Sequence, residues 1–316
     1  MLAQPRAVER VIDPTPVIEG AGVRLRRSIA TATLDYLDPF LLLDNFESSD
    51  PDDYLAGFPW HPHRGIETVT YMLAGEVDHR DSIGNAGAIG AGDVQWMTAG
   101  GGIMHEEMPR ADGDGLMGGF QLWVNLPAEL KMTRPRYQDL RAAQIPEVKR
   151  DDGTVIRVVA GEVDGVGGAV TEIYAEPEYL DVSLPPGAHF VQPVPRGHSA
   201  FAYAFRGEGR FGVGGDSVDP GRRGGLDGAL LRAPQLAVFG DGDEVRVEAD
   251  GSAVRFLLVS GKPIGEPIAR YGPFVMNTRE ELQFALQDLQ NDSFVWRDDP
   301  EWARTRRTWS PETFSR

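Results

Sequence analysis

Glycine and proline occur so often in this chain that long helices and strands are not expected. The 38 glycines and 23 prolines make up about a fifth of the 316 residues, and they are spread along the whole chain. Between them stand short runs rich in Val, Ile, Phe, Tyr and Thr, for example at 67–73, 119–125 and 254–259. Short runs of these residue types, separated by turn formers, predict many short strands in a sandwich or barrel.

The same pattern of turns occurs twice, which predicts two similar β-barrels in tandem. Residues 61–76 align with 193–208 and share Arg-Gly, a tyrosine and Gly-Glu at equal spacing. Further along, the Gly-Asp turn at 89–93 aligns with the one at 239–243. In each half, strands alternate with a glycine turn and a Gly-Asp turn.

One helix is predicted near the end of the chain. Thr278 and Glu281 form a capping-box pattern, and apolar residues at roughly helical spacing follow over 282–289. A charged segment with a single proline separates the two halves. The predicted organisation is an N-terminal barrel at 1–140, a linker at 141–152, a second barrel with the helix at 153–292, and a polar tail at 293–316.

Composition excludes several functional classes. The chain has no cysteine, which excludes disulfides, thiol catalysis and cysteine-ligated metal clusters. The formal net charge is −17, which argues against a nucleic-acid partner because phosphate binding needs lysine and arginine. No stretch approaches the roughly 18 apolar residues of a membrane helix, and no apolar signal core is present. We expect a cytoplasmic monomer with no nucleic-acid or membrane partner.

Three of the six histidines stand in patterns typical of metal ligands. His61 and His63 are two residues apart beside a predicted strand, where such positions share a face. His105 and Glu107 repeat this spacing after the glycine turn at 100–102. If both strands line one barrel, these four side chains converge. Imidazole nitrogen and carboxylate oxygen suit divalent Fe, Ni, Mn, Co, Cu and Zn.

The second half provides an internal comparison. It keeps the turns but has none of the four candidate ligands, since the equivalent positions hold Pro193, Pro195, Arg255 and Leu257. We therefore predict one metal site, in the N-terminal barrel. The remaining histidines lack partners at ligand spacing and are expected to be structural or on the surface; they are His79, which we expect to be solvated, His189 and His198.

Neighbouring residues are candidates for supporting roles. Continued alternation would put Glu67 on the face of His61 and His63, as a further ligand or as an acceptor for a histidine N–H. Four residues are candidates to line a pocket for an aromatic ligand, although ordinary core packing is at least as good an interpretation of each; they are Phe58, Trp96, Met97 and Gln121.

These motifs resemble those of the pirin family, within the cupin superfamily. The resemblance is carried by residues 38–46, 57–69, 92–100, 105–109, 122–126 and 272–278. It extends over roughly residues 6–292 and leaves out the glycine-rich 214–229 and the tail. It implies an all-β bicupin, with two antiparallel jelly-roll barrels and a short C-terminal helix. It also implies one metal, usually ferrous iron, held in the first barrel by His61, His63, His105 and Glu107.

Members of this family include quercetin 2,3-dioxygenases and, in eukaryotes, metal-dependent modulators of transcription factors. The resemblance thus implies a dioxygenase that cleaves a flavonol such as quercetin. Glu107 or Glu67 would take the proton of the substrate hydroxyl. Two alternatives stay open. One is a non-enzymatic, redox-sensing regulator that binds protein partners, and the other is an enzyme for a different small aromatic or enediol substrate.

Overall fold

The computed structural model describes residues 3–110, 115–214 and 228–299. Most of the glycine-rich segment at 214–229, and the predicted tail after residue 299, lie outside the described residues. Within them, strands dominate and one α-helix, α1 (Arg279–Gln290), lies near the end. The strands in chain order are β1 (Val8–Ile12), β2 (Thr15–Glu19), β3 (Val23–Ile29), β4 (Phe40–Ser48), β5 (Phe58–His63), β6 (Ile66–Ala74), β7 (Glu76–Asp81), β8 (Ala86–Gly90), β9 (Val94–Thr98), β10 (Ile103–Arg110), β11 (Met117–Asn125), β12 (Arg136–Leu140), β13 (Glu147–Lys149), β14 (Val155–Ala160), β15 (Glu162–Val163), β16 (Val166–Gly167), β17 (Glu178–Leu184), β18 (His189–Pro193), β19 (Ser199–Phe211), β20 (Ala229–Arg232), β21 (Gln235–Phe239), β22 (Glu244–Glu248), β23 (Val254–Gly261), β24 (Ala269–Tyr271) and β25 (Phe274–Met276).

The all-β bicupin prediction is confirmed, and the chain forms two compact units that are not contiguous in sequence. Among the described residues, the first unit joins those within 16–142 to 264–299, and the second joins 3–15 to those within 143–263. Strand β1 pairs with β21 in the second unit, and α1 packs on β24 and β25 in the first. The predicted boundaries assumed contiguous barrels and therefore differ from these units at both ends. The predicted linker contains β13, which pairs with β14.

The described part of the first unit contains two large antiparallel sheets and the two-stranded sheet β24-β25. One has seven strands in the order β12-β9-β6-β11-β4-β3-β2, and the other has four in the order β5-β10-β7-β8. The chain leaves the four-stranded sheet after His63 and enters the seven-stranded sheet at Ile66, turning at Gly65 with φ +81°. A Cβ at Gly65 would lie 2.0 Å from the carbonyl oxygen of Val275, so glycine is needed both for the conformation and for the close approach.

The second unit is built around a ten-stranded sheet with a predominantly apolar core. Phe190 and Phe211 each pack edge-on against Phe256, with ring centroids 5.5 and 5.1 Å apart. Edge-on aromatic contacts of this kind are favourable beyond the area they bury. The described part of this unit contains no cluster of three metal-binding side chains.

The helix prediction is confirmed in its position and its cap. The Thr278 Oγ1 accepts a hydrogen bond from the Glu281 backbone N–H at 3.2 Å, and the Glu281 carboxylate accepts one from the Thr278 N–H at 2.9 Å. Its apolar side, including Leu282 and Ala285, packs with Phe274 of β25. No helix in the described residues has the length and apolar character to span a membrane.

Candidate metal centre

Three histidines converge from two adjacent strands of the four-stranded sheet. His61 and His63 lie on β5, and His105 lies on β10 directly opposite His61. The ring centroids are 4.9 Å apart for His61 and His63, 4.3 Å for His61 and His105, and 5.0 Å for His63 and His105. Each ring offers a nitrogen that lies within 4.8 Å of those of the other two. A single ion can therefore be reached by all three.

The hydrogen bonding of these rings fits a cation. The Nδ1 of His63 and both ring nitrogens of His105 are buried without a hydrogen-bond partner among the described residues. The His61 Nδ1 lies 2.9 Å from the carbonyl oxygen of Pro59, so this nitrogen donates and the Nε2 keeps its lone pair. Buried polar atoms without partners cost free energy, and a bound ion would remove that cost.

Burial also keeps two of the imidazoles neutral. It lowers the pKa of His63 well below its ordinary value, and the neighbouring His61 and His105 lower it further. Burial lowers the pKa of His105 in the same way, assisted by His61 and His79. Metal ions bind the neutral form of imidazole, so the site does not need to lose protons before it binds one near neutral pH.

Glu107 follows His105 by two residues on β10, and an irregularity in the pairing lies between them. Its Oε1 accepts a hydrogen bond from the Thr70 hydroxyl at 3.3 Å. Burial raises the pKa of Glu107, and the charge of His61 lowers it. Its carboxylate is not part of the tight three-histidine cluster, although it lines the same cavity. The assignment of Glu107 as a fourth ligand therefore stays a prediction.

Continued alternation predicted Glu67 on the face of the histidines, and the structure places it on the opposite face. Thr70 of β6 points toward Glu107, and Glu67, three residues earlier in the same strand, points to the opposite face. Glu67 is fully buried, its Oε1 accepts from the Thr98 hydroxyl at 2.7 Å, and burial raises its pKa to about 7. The expected alternation fails because the chain changes sheets at Gly65.

A cavity of about 580 Å³ opens beside the histidines and has largely apolar walls. Of the four pocket candidates, Phe58 and Gln121 line it together with His61, His63 and Glu107. Trp96 lies opposite Val69 in the sheet, on the face away from Thr70, and Met97 packs in a core cluster. The cavity walls also include Leu42, Phe46, Tyr54, Trp60, Met117 and Trp123.

Sequence analysis missed three residues that contact this site. Thr70 bonds Glu107, Trp123 packs edge-on against His63 with centroids 5.2 Å apart, and Arg270 lies over the Trp123 ring at 5.1 Å. Trp123 could have been found, because it is two residues from Gln121 on one strand and shares its face. Arg270 carries no local signal, since it enters from a segment far along the chain.

The expectation that His79 is solvated is wrong. Its side chain is buried, it lies opposite Glu107 on β7, and it stacks on Tyr137 with centroids 6.0 Å apart. Asp78 and Arg80 alternate to the other face of β7, whereas Asp81 shares the face of His79 and is itself buried. His189 is exposed, as expected, and lies 3.3 Å from a carboxylate oxygen of Glu248.

Two antiparallel β-barrel units, one of which presents His-x-His and His-x-Glu on adjacent strands, define a bicupin with one candidate metal centre. Family models agree with this description: the pirin model matches residues 22–124, and the pirin C-terminal cupin model matches 179–295. The chain belongs to the pirin family.

Individual relatives cover nearly the whole chain. A pirin-like protein of Caulobacter vibrioides is 46% identical over 290 residues, which is 92% of this chain and 99% of the relative. Human pirin is 42% identical over 277 residues, covering 86% of this chain and 88% of the relative. Among solved structures, a quercetin 2,3-dioxygenase from Acinetobacter baumannii has a TM-score of 0.80 at 33% identity, covering 92% of this chain and 98% of that one.

Proposed function

We propose that this protein is a metal-dependent dioxygenase of the pirin type that cleaves a flavonol such as quercetin. The observation that carries the proposal is a cluster of three imidazoles, His61, His63 and His105, of which His61 and His63 line a cavity with aromatic walls. A volume of about 580 Å³ lies within the usual range for small-molecule sites. The similarity to a quercetin 2,3-dioxygenase structure supports the choice of substrate class.

The three histidines would hold the ion, and Glu107 would be a fourth ligand or the base. Nitrogen and oxygen donors suit several divalent metals, so the choice of ferrous iron depends on the family resemblance. Bound there, ferrous iron would supply Lewis acidity toward a substrate hydroxyl and electrons for dioxygen.

The protein's own side chains would position the substrate and move its proton. Glu107 faces the cavity, and its raised pKa suits a group that accepts a proton from a substrate hydroxyl. The Thr70 hydroxyl lies 3.3 Å from this carboxylate and 2.9 Å from the Gln121 amide oxygen, so its one proton is shared between the two acceptors and links Glu107 to Gln121. Phe58 and Trp123 offer aromatic surfaces for a planar ring, and the apolar walls exclude water, which strengthens electrostatic interactions inside the cavity.

The test is anaerobic reconstitution with ferrous iron, followed by oxygen and quercetin, with quercetin loss and carbon monoxide release measured together. We expect both in the reconstituted protein, and neither in the metal-free protein or in His61→Ala. His189→Ala, which removes an exposed histidine of the other unit, is the matched control and should behave as the wild type. Stoichiometric iron binding without turnover of quercetin would contradict the proposal.

One observation favours the alternative of a metal-dependent regulator. Arg64, next to His63, forms a 2.8 Å ion pair with Asp288 of α1 and donates to the carbonyl oxygen of Phe294 at 2.9 Å. A change at the metal centre would thus be transmitted directly to the C-terminal helix. Under this alternative, partner capture would depend on the bound metal, and an identical set of partners with and without metal would exclude it.

A further inference from the structure

Arg270 lies in the wall of the cavity that His61 and His63 also line. Its Nη1 donates to the carbonyl oxygen of Leu41 at 3.1 Å, and its Nε donates to that of Gly272 at 3.4 Å. Its guanidinium carbon lies 5.1 Å from the centre of the Trp123 ring, whose edge meets His63. Backbone and aromatic contacts therefore fix this cation on the same indole ring that packs against a candidate metal ligand.

Among the described residues the guanidinium of Arg270 forms no direct ion pair, in contrast to its neighbour Arg27, although Asp35, Asp44 and Glu19 act on its charge from further away. Arg27 donates to both carboxylate oxygens of Asp44, at 2.8 and 2.7 Å, and to Glu19 at 2.7 Å. Among the residues that the structure describes, no carboxylate oxygen lies within 4.0 Å of the Arg270 guanidinium nitrogens. Two of its five N–H groups have acceptors, which leaves the Nη2 end available for a ligand.

The surroundings of Arg270 are also suited to a ligand larger than one ring. Burial lowers the pKa of Arg270, as does the adjacent Arg27, but a guanidinium remains charged near neutral pH. Arg270 also borders a second cavity of about 570 Å³, whose walls include Asp35 and Tyr36. A partly desolvated cation with spare donors, beside an aromatic surface, fits an aromatic ligand that carries an anionic oxygen.

We propose that Arg270 is a specificity-determining residue that selects aromatic ligands with a carboxylate or phenolate oxygen, held with the ring against Trp123. The proposal deepens the proposed function, since it concerns the substrate class of the same cavity. The proposal requires the ligand to carry an anionic oxygen, whereas the apolar walls of the cavity require only an aromatic ring. A chain of net charge −17 repels anions in general, so a local cation is needed to bind one.

The test compares two ligands that match in ring and size, 2-naphthoate and 2-naphthamide, by isothermal titration calorimetry at pH 7.5. The full chain is used both metal-free and loaded with zinc, which has no redox chemistry with dioxygen. Arg270→Gln removes the charge, and Arg270→Lys keeps the charge but loses the planar fork. Arg24→Gln is the matched control, because Arg24 is 69% exposed on β3 and does not line the cavity.

We expect the wild type to bind the acid about tenfold more tightly than the amide, in both metal states. Arg270→Gln should lose most of this preference without weakening amide binding, Arg270→Lys should be intermediate, and Arg24→Gln should match the wild type. Equal binding of the two ligands by the wild type, equal loss of both in Arg270→Gln, or absence of binding would overturn the proposal. Because neither ligand needs turnover, a failed dioxygenase assay would leave this result unaffected. If Arg270→Gln does not fold, the ratio of the affinities for the acid and the amide in the wild type and in Arg270→Lys still tests the proposal.

Discussion

His105 lies directly opposite His61 on the adjacent antiparallel strand, and their ring centroids are 4.3 Å apart. The two residues are far apart in sequence, and strand pairing alone brings them together. Burial holds the pKa of His105 well below its ordinary value, so its imidazole is neutral near pH 7 and offers a lone pair to a cation. One shared cation satisfies them both, which makes this pair the basis of the candidate centre.

Removal of either member of this pair should therefore abolish tight metal binding. We expect His105→Ala to lower the affinity for a divalent metal by at least about 100-fold, measured by competition with a chromophoric chelator. His189→Ala should have no effect. A His105→Ala protein that competes for metal as well as the wild type would show that His105 is not a ligand.

Thr70 should influence turnover more than metal binding. Thr70→Val removes the hydroxyl that lies between the Glu107 carboxylate and the Gln121 amide oxygen while it preserves shape, so kcat should fall about tenfold with little change in metal affinity. Thr70→Ser keeps a hydroxyl and should recover most of the rate. Unchanged kcat in Thr70→Val would mean that the orientation of Glu107 does not matter for the reaction.

Arg64 should be a major contributor to stability. Arg64→Met removes the ion pair with the half-buried Asp288 carboxylate and the hydrogen bond to the Phe294 carbonyl, so we expect a loss of about 2–3 kcal/mol in the free energy of unfolding. Urea denaturation measures this. Arg24→Met, which breaks an exposed ion pair with Asp53, should cost no more than about 1 kcal/mol. Similar losses for the two variants would contradict this account of Arg64.

Glu178 of the second unit should make stability depend on pH. Burial raises its pKa to about 8, and the Gln192 amide donates to its Oε2 at 2.8 Å. The folded state therefore prefers the protonated acid, so this contribution to stability is complete below the ordinary glutamate pKa of about 4.5 and is lost as pH rises through 8.

The variant Glu178→Gln should remove that loss. Its free energy of unfolding, relative to the wild type, should increase between about pH 4.5 and 8 and then level off. Urea denaturation across this range provides the measurement. Glu162→Gln, which replaces an exposed carboxylate of the same unit, should follow the wild type at every pH. A constant difference between Glu178→Gln and the wild type would mean that Glu178 is already ionised in the folded protein.

The features that local chemistry determines could be predicted from the sequence. Turn formers between β-branched runs indicated the strands, the Thr278 and Glu281 pair gave the helix start, and i, i+2 spacing indicated which histidines converge. The face of Glu67 could not be predicted by alternation, because Gly65 carries the chain from one sheet to the other. The burial of His79 depends on two neighbouring strands, and the position of Arg270 depends on a distant segment, so neither leaves a local pattern.

The most direct test of the account is the stoichiometry and coordination of the bound metal. The protein is loaded with ferrous iron without oxygen, the bound iron is counted by mass spectrometry, and its ligands are identified by X-ray absorption. We predict one ion per chain with imidazole ligands, and no tightly bound iron when His61, His63 and His105 are all replaced by alanine. Failure of the wild type to bind one ion, or retention of that ion by the triple variant, would contradict the central claim.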